Sequence, residues 1–545
     1  MKKVIGLLVS AFVLSAGTVF AQSEIDAYKF SQTDLSGTAR YMGMGGAFGA
    51  LGGDISSMET NPAGLGIYRS SEVVTTLSLS SIRAKTDWVG TKMNENRTKL
   101  NFDNIAYVGY FPSGNDEGLV SWNVGFSYNR VKNYNRTYRM GRGAGGKSIS
   151  DYIAELTSLN GSTSGGLWGT DNYDPYLNHN WLSVLGYNAG LIDGDKGAFF
   201  STMGEWKNGN LVPFKVHSAD LHVTEKGAVD KYNISLATNI SNVFFVGATV
   251  SVTDLNYDVR TYYDEDFGSN KASNKSDHLY LDNYSSLDGT GYGFNLGVIV
   301  RPVDFLRFGV AYNSPTWYKM TNYYNAEAGA FVYDYYSNRV NPEGNDKNMD
   351  RKAWTPDNVY TEYKLRSADK FLFSAAAIIG QTALISVDYE LTNYKGMRLS
   401  DRDGYAQDDD NSLIKGDYRW AGMLKAGAEV KVTPQFAVRV GTAWQNSPVQ
   451  DHMKYTSDGV ISEVAVSGTR TVYSVDHSVN YYTLGLGYRF TPNFYVDLAA
   501  VYRMQKEEVY PFPHLIQKGE ILVESVPSIL KTNTTKVALT FGYKF

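Results

Sequence analysis

The sequence predicts an all-β fold: a 14-stranded antiparallel transmembrane β-barrel with an N-terminal segment inside its lumen. Three patterns lead to this prediction, and the first is the final stretch of the chain. There Val537, Leu539, Phe541, Tyr543 and Phe545 alternate with polar or small residues up to the last position. Successive side chains of a strand point to opposite faces, so this stretch predicts a strand with one apolar face. Such a strand, ending on an aromatic residue, is typical of the closing strand of an outer-membrane barrel.

The second pattern is the number of segments in which apolar residues alternate with polar or small ones. In one clear case Tyr292, Phe294 and Leu296 alternate with glycine and asparagine. We count fourteen such segments, an even number, as in bacterial single-chain barrels. The predicted strands are residues 72–83, 101–112, 119–131, 229–240, 243–262, 289–300, 305–318, 368–379, 382–395, 418–431, 435–445, 479–490, 493–505 and 533–545.

The third pattern is the length of the links between these segments. Short links alternate with long ones along the whole chain, which is the topology of a barrel with short periplasmic turns and long external loops. A soluble β-sandwich supplies alternating strands but not this strict alternation of links. The short links are residues 112–118, 241–242, 301–304, 380–381, 432–434 and 491–492. The predicted long loops are residues 84–100, 132–228, 263–288, 319–367, 396–417, 446–478 and 506–532.

The start of the chain predicts export. Lys2 and Lys3 precede an apolar run over residues 4–19, and Ala21 ends a small-residue cleavage site. This is the pattern of a secretory signal peptide, which we assign to residues 1–21. The predicted domains are therefore the signal peptide, a lumenal segment over residues 22–71, and a barrel over residues 72–545 whose largest external loop is 132–228.

Composition agrees with a membrane barrel and excludes several classes of function. The chain has 41 Tyr, 25 Phe and 9 Trp at a mean hydropathy of -0.30. Barrels combine ordinary hydropathy with aromatic belts, because lipid-facing and lumen-facing residues alternate. A net charge of -5 argues against binding nucleic acid. The absence of cysteine excludes disulfides, thiol catalysis, lipid attachment through cysteine and thiolate metal sites.

The sequence gives no sign of catalysis or of a metal. We recognise no nucleophile–base constellation, so we predict no catalytic residue, no cofactor and no enzyme activity. All seven histidines fall in predicted external loops, and no pair has a ligand spacing such as HExxH. The acidic stretch over residues 401–411 departs from the calcium-loop pattern.

Two apolar clusters lie in the largest predicted loop. The first follows Ser148, a plausible helix N-cap, at helical spacing, and the second is compact. We consider two interpretations: an exposed groove that captures an apolar ligand, or a small core that stabilises the loop itself. The candidate ligand-binding residues are Ile149, Tyr152, Ile153, Leu156, Trp181, Leu182, Val184 and Leu185.

Charged residues in the predicted strands fall on the lumenal side by parity. A Lys or Arg facing lipid near the midplane would cost about 2–4 kcal/mol, which favours this placement. We expect these charges to form ion pairs that brace the lumenal segment. A second interpretation is that Arg307 or Arg439 binds a ligand carboxylate. The predicted lumenal charges are Arg307, Asp388, Glu390, Lys425, Glu429, Arg439, Arg489 and Asp497.

The lumenal segment carries motifs that go beyond a generic barrel. Residues 37–54 are rich in Gly and Ala, and Asn61-Pro62-Ala63 follows them just before the first strand. Further motifs occur at the periplasmic turns and adjoining strands: RPVD at 301–304, LRFGVAYNSP at 306–315, DYE at 388–390, KAGAE at 425–429, VRVG at 438–441, NSPV at 446–449, LGLGYR at 484–489 and VDL at 496–498. From residue 37 to the end, the sequence resembles the FadL/TodX family of outer-membrane transporters for hydrophobic compounds.

The resemblance implies a function as well as a fold. In that family the Gly/Ala-rich segment and the Asn-Pro-Ala motif belong to a hatch that plugs the barrel, which assigns gating to Asn61, Pro62 and Ala63. It implies sideways exit through the wall near the third strand, where Gly125 permits either a kink or close packing. We therefore expect a monomer in the outer membrane of a Gram-negative bacterium, surrounded by outer-membrane lipid. It would take up hydrophobic compounds such as long-chain fatty acids passively. The alternative is an outer-membrane shuttle or attachment protein that binds secreted protein partners.

Overall fold

The computed structural model describes residues 23–545 except 171, 209, 270–275, 337–346, 358, 381, 456–463, 465 and 467. The predicted signal peptide, residues 1–21, lies outside the described residues, as does Gln381 in one predicted turn. Within the described part of the chain, no helix is both long and apolar enough to span a bilayer.

The described residues form seven α-helices, four short 3-10 helices and twenty-five strands. The α-helices are α1 (Glu24–Ser31), α2 (Ala39–Gly43), α3 (Ser57–Thr60), α4 (Ile149–Leu159), α5 (Ser164–Leu167), α6 (Trp181–Asn188) and α7 (Asp408–Asp417). The 3-10 helices are Pro62–Ile67, Pro175–Leu177, Tyr394–Gly396 and Asp451–Met453. The strands are β1 (Glu72–Trp88), β2 (Thr91–Pro112), β3 (Leu119–Asn133), β4 (Arg136–Arg142), β5 (Ile192–Asp195), β6 (Ala198–Ser201), β7 (Gly204–Lys207), β8 (Asn210–Pro213), β9 (Ser218–Ile240), β10 (Phe244–Ser269), β11 (Ser276–Val303), β12 (Leu306–Asn313), β13 (Trp317–Val332), β14 (Met349–Trp354), β15 (Tyr360–Arg366), β16 (Asp369–Ile379), β17 (Ala383–Asn393), β18 (Arg398–Asp401), β19 (Trp420–Lys431), β20 (Phe436–Gln445), β21 (Tyr473–Arg489), β22 (Phe494–Tyr510), β23 (Leu515–Gln517), β24 (Glu520–Val523) and β25 (Ser528–Lys544).

Fourteen antiparallel strand positions close into a barrel, as predicted. The wall runs β1, β2, β3, β9, β10, β11, β12, β16, β17, β19, β20, β21, β22 and β25. The first and last strands then pair with each other from Glu72–Lys544 to Asp87–Ile529. Closure leaves no open sheet edge, which is what a hydrocarbon environment requires of a β-structure.

The strands rise well above the lipid belt, so several predicted loops are wrong. Residues 84–100, predicted as a loop, are strand apart from a two-residue turn at 89–90 that joins β1 to β2. The strands β9, β10 and β11 are 23, 26 and 28 residues long, against the 9–11 residues that cross a bilayer. On β10 the outward residues change from Val250 and Val252 to Asp254, while inward residues such as Tyr257 stay buried. Above the membrane the polar residues of the strand therefore face outward and the apolar residues face the lumen.

The closing strand makes the contacts that its sequence suggested. The backbone N–H of Phe545 donates to the carbonyl of Ser71 at 3.0 Å. Its ring packs with the rings of Tyr107 and Tyr543 at centroid distances of 6.3 and 6.4 Å. The last residue therefore joins the end of the barrel to the start of β1, at the side of the short turns.

The external loops fold back over the barrel mouth as a cap. The helices α4 and α6 pack together there, with the hydroxyls of Thr157 and Ser183 at 2.8 Å. The cap shares one continuous apolar core with the inward faces of the strand extensions and with α1 from the N-terminal segment. The outer end of the lumen is therefore covered by protein rather than open.

Candidate functional site: the plugged lumen

Residues 37–67 fill the end of the lumen nearest the short turns, and we call them the hatch. The wall meets the hatch through glycines, because a side chain there would collide with backbone or side-chain atoms of the hatch. A Cβ on Gly247 would lie 2.4 Å from the carbonyl carbon of Pro62, and one on Gly441 would lie 2.2 Å from the nitrogen of Gly45. We call this set the glycine seat; its members are Gly125, Gly247, Gly297, Gly309, Gly427 and Gly441.

The Asn-Pro-Ala motif lies where the hatch meets the sixth wall strand. The Asn61 amide is buried; it donates to the carbonyls of Gly49 at 2.7 Å and Val298 at 3.3 Å. Its Oδ1 accepts from the N–H of Ala63 at 3.2 Å and so caps the 3-10 helix. Pro62 occupies the first turn of that helix, where its missing N–H costs no hydrogen bond. The motif thus links hatch backbone to wall backbone.

Two predicted lumenal charges hold the hatch backbone directly. The carboxylate of Asp388, buried on β17, accepts from the N–H groups of Phe48 at 3.0 Å and Gly49 at 2.8 Å. From β12, Nη1 of Arg307 donates to the carbonyl of Leu51 at 2.5 Å. Both side chains face the lumen, as parity predicted, and both contact the hatch.

A chain of ion pairs joins the hatch to the opposite side of the wall. Arg40 of the hatch meets Glu429 at 2.9 Å; Arg439 meets the same carboxylate at 2.5 Å and Asp497 at 2.6 Å. Because Arg439 is 6% exposed and saturated by two carboxylates, it is not available to a ligand carboxylate in this conformation. The interpretation that these charges brace the lumenal segment fits this network.

The remaining predicted charges divide into two groups. Glu390 bridges Lys425 at 2.7 Å and Lys370 at 3.2 Å on the inner wall. Arg489, in contrast, lies exposed at the turn end of β21 and makes no ion pair within the described ranges. The prediction that Arg489 braces the lumen is wrong, because the strand ends there and its side chain reaches solvent.

Above the hatch, residues 24–36 continue into the outer half of the lumen, and we call them the upper plug. Each turn of its helix α1 is tied to the wall or cap. Lys29 meets Glu225 at 2.6 Å, and Asp26 meets Arg470 of a cap loop at 2.7 Å. Beyond α1, Asp34 meets Lys132 of β3 at 2.9 Å. The barrel is therefore filled in two layers.

Residues 32–35 lie between two cavities in the described part of the lumen. One, of about 110 Å³, lies toward β1, β22 and β25 and is lined by Lys132, Arg503 and Asp476. The other, of about 120 Å³, lies toward β16, β17 and β19 and is lined by Lys231, Glu390 and Lys425. Both walls mix charged groups with tyrosine and aliphatic carbon.

The third wall strand has no gap in this conformation. It pairs with β2 from Asn129 to Ser121 and with β9 along its length, with register shifts near each end. A Cβ on Gly125 would lie 2.3 Å from the Met58 side chain and 2.9 Å from Leu65. Gly125 is therefore a close-packing position for the hatch, which was one of the two predicted alternatives.

The predicted external groove residues lie in the cap core instead. Ile149, Ile153, Val184 and Leu185 are fully buried, and Tyr152, Trp181 and Leu182 are at most 6% exposed. Leu156 packs partly buried against the same cluster. The exposed-groove interpretation is wrong for this conformation, because helices α4 and α6 turn these side chains toward each other and toward the strand extensions. They form the loop core that was the alternative.

A buried acid fixes the start of α4 in the cap. Glu265, on the extension of β10, accepts from the N–H of Ile149 at 3.2 Å, from the Tyr263 hydroxyl at 2.6 Å, and from the Ser148 hydroxyl. Burial raises the pKa of Glu265 to about 7, against hydrogen bonds that lower it. The helix N-terminus favours its charged form, so the two effects oppose each other.

The seven histidines lie in cap loops or in strand extensions. His222, His278 and His477 lie in strand extensions rather than loops, which corrects their predicted placement. His477 and His452 pair with the carboxylates of Glu508 and Asp417, each at 2.8 Å. Among the residues that the structure describes, no group of three or more His, Cys, Asp or Glu is arranged to hold a metal ion.

The sequence reasoning missed the contacts of the upper plug and the whole of the glycine seat. The upper plug falls within residues 22–71, predicted as lumenal, but carries no recognised motif from which its partners could be assigned. The glycine seat carried a usable signal: glycines recur at inward parity in several predicted strands, including those of the RFGVAY, KAGAE and VRVG motifs. In strands, such glycines mark close approach of another backbone.

A closed fourteen-stranded barrel, sealed by its own N-terminal segment, defines the class of plugged β-barrels. The family described as "outer membrane protein transport protein (OMPP1/FadL/TodX)" matches residues 223–545. The chain belongs to this family of outer-membrane transporters of hydrophobic compounds.

The chain is similar to several solved structures, of which one with a TM-score of 0.52 supports this fold. A FadL homologue of Pseudomonas aeruginosa is 14% identical, with 94% of this chain and 99% of that chain covered and a TM-score of 0.52. The toluene transporter TodX of Pseudomonas putida is 11% identical over the same shares, with a TM-score of 0.45. The toluene transporter TbuX of Ralstonia pickettii is 14% identical over the same shares, again with a TM-score of 0.45. A search of curated proteins gave no match.

Proposed function

We propose that this protein admits hydrophobic compounds such as long-chain fatty acids passively across the outer membrane of a Gram-negative bacterium, acting as a monomer. The observation that carries the proposal is the continuous N-terminal filling of the lumen, from the hatch to the upper plug. A structural barrel needs no such plug. A plug held by a limited set of polar contacts suits a pathway that must stay closed to water and open for a ligand.

Passage requires the upper plug to move. The two lumenal cavities measure about 110 and 120 Å³, whereas sites for small organic ligands span about 300–1,000 Å³. Residues 32–35 separate these cavities, so their displacement would merge them. A ligand can drive this change only if it binds the open arrangement better than the closed one.

The cap offers a route for coupling ligand arrival to plug movement. Rings of α1 pack against rings of the wall and cap: Tyr28 lies 5.2 Å from Tyr418, and Phe30 lies 5.4 Å from Tyr257. An apolar ligand that enters the cap core would compete for these contacts. We propose that it loosens α1 first and the hatch second. Release of Met58 from Gly125 would then expose the inner face of the third strand as a lateral exit.

A reversible cross-link tests whether the upper plug must move. The protein has no cysteine, so introduced thiols are unique. The Ser31 hydroxyl accepts from the backbone N–H of Ala368 at 3.3 Å, so Ser31→Cys with Ala368→Cys places one thiol on α1 and one on the wall. We expect oxidation to reduce uptake of labelled oleate at least tenfold in a host that lacks its own transporter, and reductant to restore it.

A matched control joins two wall strands instead. The hydroxyls of Ser235 and Thr249 lie 2.7 Å apart on β9 and β10. The pair Ser235→Cys and Thr249→Cys should cross-link without changing uptake. Unchanged uptake in the oxidised plug variant would refute a gating role for residues 24–36.

A second candidate function is attachment of secreted protein partners at the surface. Leu177 is 70% exposed and Tyr405 76% exposed on the cap, which is where a partner would contact the protein. Deletion of the gene separates the two candidates. Loss of oleate uptake with normal surface secretion supports transport, and the reverse result supports attachment.

A further inference from the structure

Four basic side chains cluster on the outward face of the barrel, between β13 and β18. Cross-strand register places Lys319 opposite Lys364, and Arg366 opposite Arg398. Each alternates along its strand with a residue buried toward the lumen, such as Tyr318 beside Lys319. All four therefore face outward, and we call them the basic patch.

The basic patch lies directly above the lipid belt. Trp317 precedes Lys319 by one outward position, and its ring stacks on Tyr292 at 5.6 Å and lies 6.3 Å from Phe294. From Phe294 a row of aromatic rings in contact continues along the outer face of the wall through Tyr312, Phe371 and Trp420. Aromatic belts mark the membrane–water interface. The patch is therefore at the level of lipid headgroups.

The two lysines of the patch have no carboxylate partner among the described residues. Lys319 and Lys364 form no ion pair there, whereas Arg366 pairs with Asp369 at 3.4 Å. Glu362, the next outward residue from Lys364 on β15, pairs with Arg402 at 3.2 Å. Arg398 donates to the carbonyls of Lys395 and Met397 rather than to an acid. Like charges directly opposite each other destabilise a sheet, so an external anion would stabilise this arrangement.

The part of the rim that lies beyond β11 is built differently. On β3, β4 and β10 the outward arginines each bridge a carboxylate on a neighbouring strand. Arg130 meets Asp230 at 2.8 Å, Arg139 meets Asp220 at 2.8 Å, and Arg260 meets Asp282 at 2.5 Å. Outward basic residues without an ion pair among the described residues also occur elsewhere on the rim, where Lys85, Lys531 and Lys506 lie side by side on β1, β25 and β22. The basic patch differs from them in combining two guanidinium groups with two ammonium groups.

We propose that the basic patch binds the phosphate groups of an anionic lipid in the outer leaflet, with the acyl chains along the apolar strand faces below. Guanidinium and ammonium groups are the side chains that recognise phosphate. The apolar face directly beneath favours a lipid over free phosphate. The inference rests on the outer-membrane location proposed above but not on the transported compound.

Native mass spectrometry of the detergent-purified full chain tests the site. The probes are diphosphorylated lipid A, the same lipid with its phosphates removed, and inorganic phosphate. We expect the phosphorylated lipid to be retained preferentially. Lys319→Gln with Lys364→Gln should weaken that retention about 10- to 30-fold, as expected for two basic side chains near a headgroup. The matched control, Arg260→Gln, removes an outward charge from a paired site and should leave retention unchanged.

Three results would overturn the proposal: equal retention of both lipids, unchanged retention by the double variant, or displacement of the lipid by millimolar inorganic phosphate alone, which would indicate a simple anion site. Oleate uptake by the double variant separates this proposal from the transport function. Normal uptake with weakened lipid retention supports the patch as a lipid site only. Absence of oleate uptake by the unsubstituted protein, with the phosphorylated lipid still retained preferentially, would count against transport without affecting the patch.

Discussion

Replacement of Asn61 by alanine tests how strongly the hatch is held to the wall. The side chain is 1% exposed and serves three partners: the carbonyls of Gly49 and Val298, and the N–H of Ala63. Alanine removes all three contacts but adds no atom that could clash. The substitution therefore weakens hatch docking without disturbing strand pairing.

The expected loss can be worked from these contacts. Val298 belongs to β11, and a carbonyl has a second lone pair, so loss of the 3.3 Å bond costs little. The carbonyl of Gly49 and the N–H of Ala63 lose closer partners in a buried setting. At roughly 1–1.5 kcal/mol for each, the hatch should be destabilised by about 2–3 kcal/mol. This corresponds to about 30- to 150-fold more frequent opening.

Amide hydrogen exchange read by mass spectrometry measures that opening. Peptides from residues 37–67 should exchange about 30- to 150-fold faster in Asn61→Ala, whereas peptides from β10 and β20 should not change. Heat-modifiable gel mobility should still show a folded barrel. Thr60→Ala is the matched control, because that hydroxyl donates only to Ser56 within the hatch, at 3.2 Å. Equal hatch exchange in both variants would refute the role of Asn61.

Deletion of Phe545 should reduce the folded fraction in the membrane several-fold, seen as lost heat-modifiable mobility, because its N–H and ring join β25 to the start of β1; normal assembly would contradict this. Gly247→Ala should speed hatch exchange while the barrel still folds, since its Cβ would meet Pro62 at 2.4 Å, whereas Gly416→Ala, with open space around it, should not. The cap should open more readily at pH 8 than at pH 5. Burial raises the pKa of Glu265 from 4.5 to about 7. The stability that the protonated carboxyl contributes to the folded cap is therefore fully present below about pH 4.5. It falls by up to about 3 kcal/mol as the pH rises from there through 7. Exchange of residues 143–159 measures this, and Glu265→Gln should abolish the pH dependence; an unchanged slope would show that another group titrates.

The wall was predictable because lipid imposes a simple pattern. Apolar residues at every second position identified all fourteen strands, and short turns fixed their order. The upper ends were not predictable from that pattern. Above the membrane the outward face becomes polar, as at Asp254 and Asp258, while Tyr257 remains buried inward. Alternation continues there with its polarity reversed, so a search for lipid-facing residues ends too early.

The hatch position was predictable from its motif, but its partners were not. Asn61, Pro62 and Ala63 were assigned by resemblance, and parity placed Arg307 and Asp388 in the lumen. Which charge meets which depends on strand register and on where residues 24–36 run. The contact of Asp34 with Lys132, about a hundred residues apart in sequence, follows from neither. Long-range pairing inside a barrel is a property of three-dimensional closure.

The surfaces between hatch and wall indicate how the plug can leave. Large hatch side chains such as Tyr41, Met44 and Phe48 pack in one apolar cluster with residues of the wall. Several of the wall residues in that cluster are small: Ala376, Ala443, Ala499 and Ala538. A large hatch side chain enters the wall where glycine leaves room, as Met58 does at Gly125. Retention then depends on apolar area and on directional contacts, among them those of Asn61, Asp388 and Arg307 and the ion pair of Arg40 with Glu429. Because Asp388 and Arg307 reach hatch backbone, breaking their bonds does not require hatch side chains to repack. A ligand therefore needs to offset a limited set of bonds, not to unpack a core.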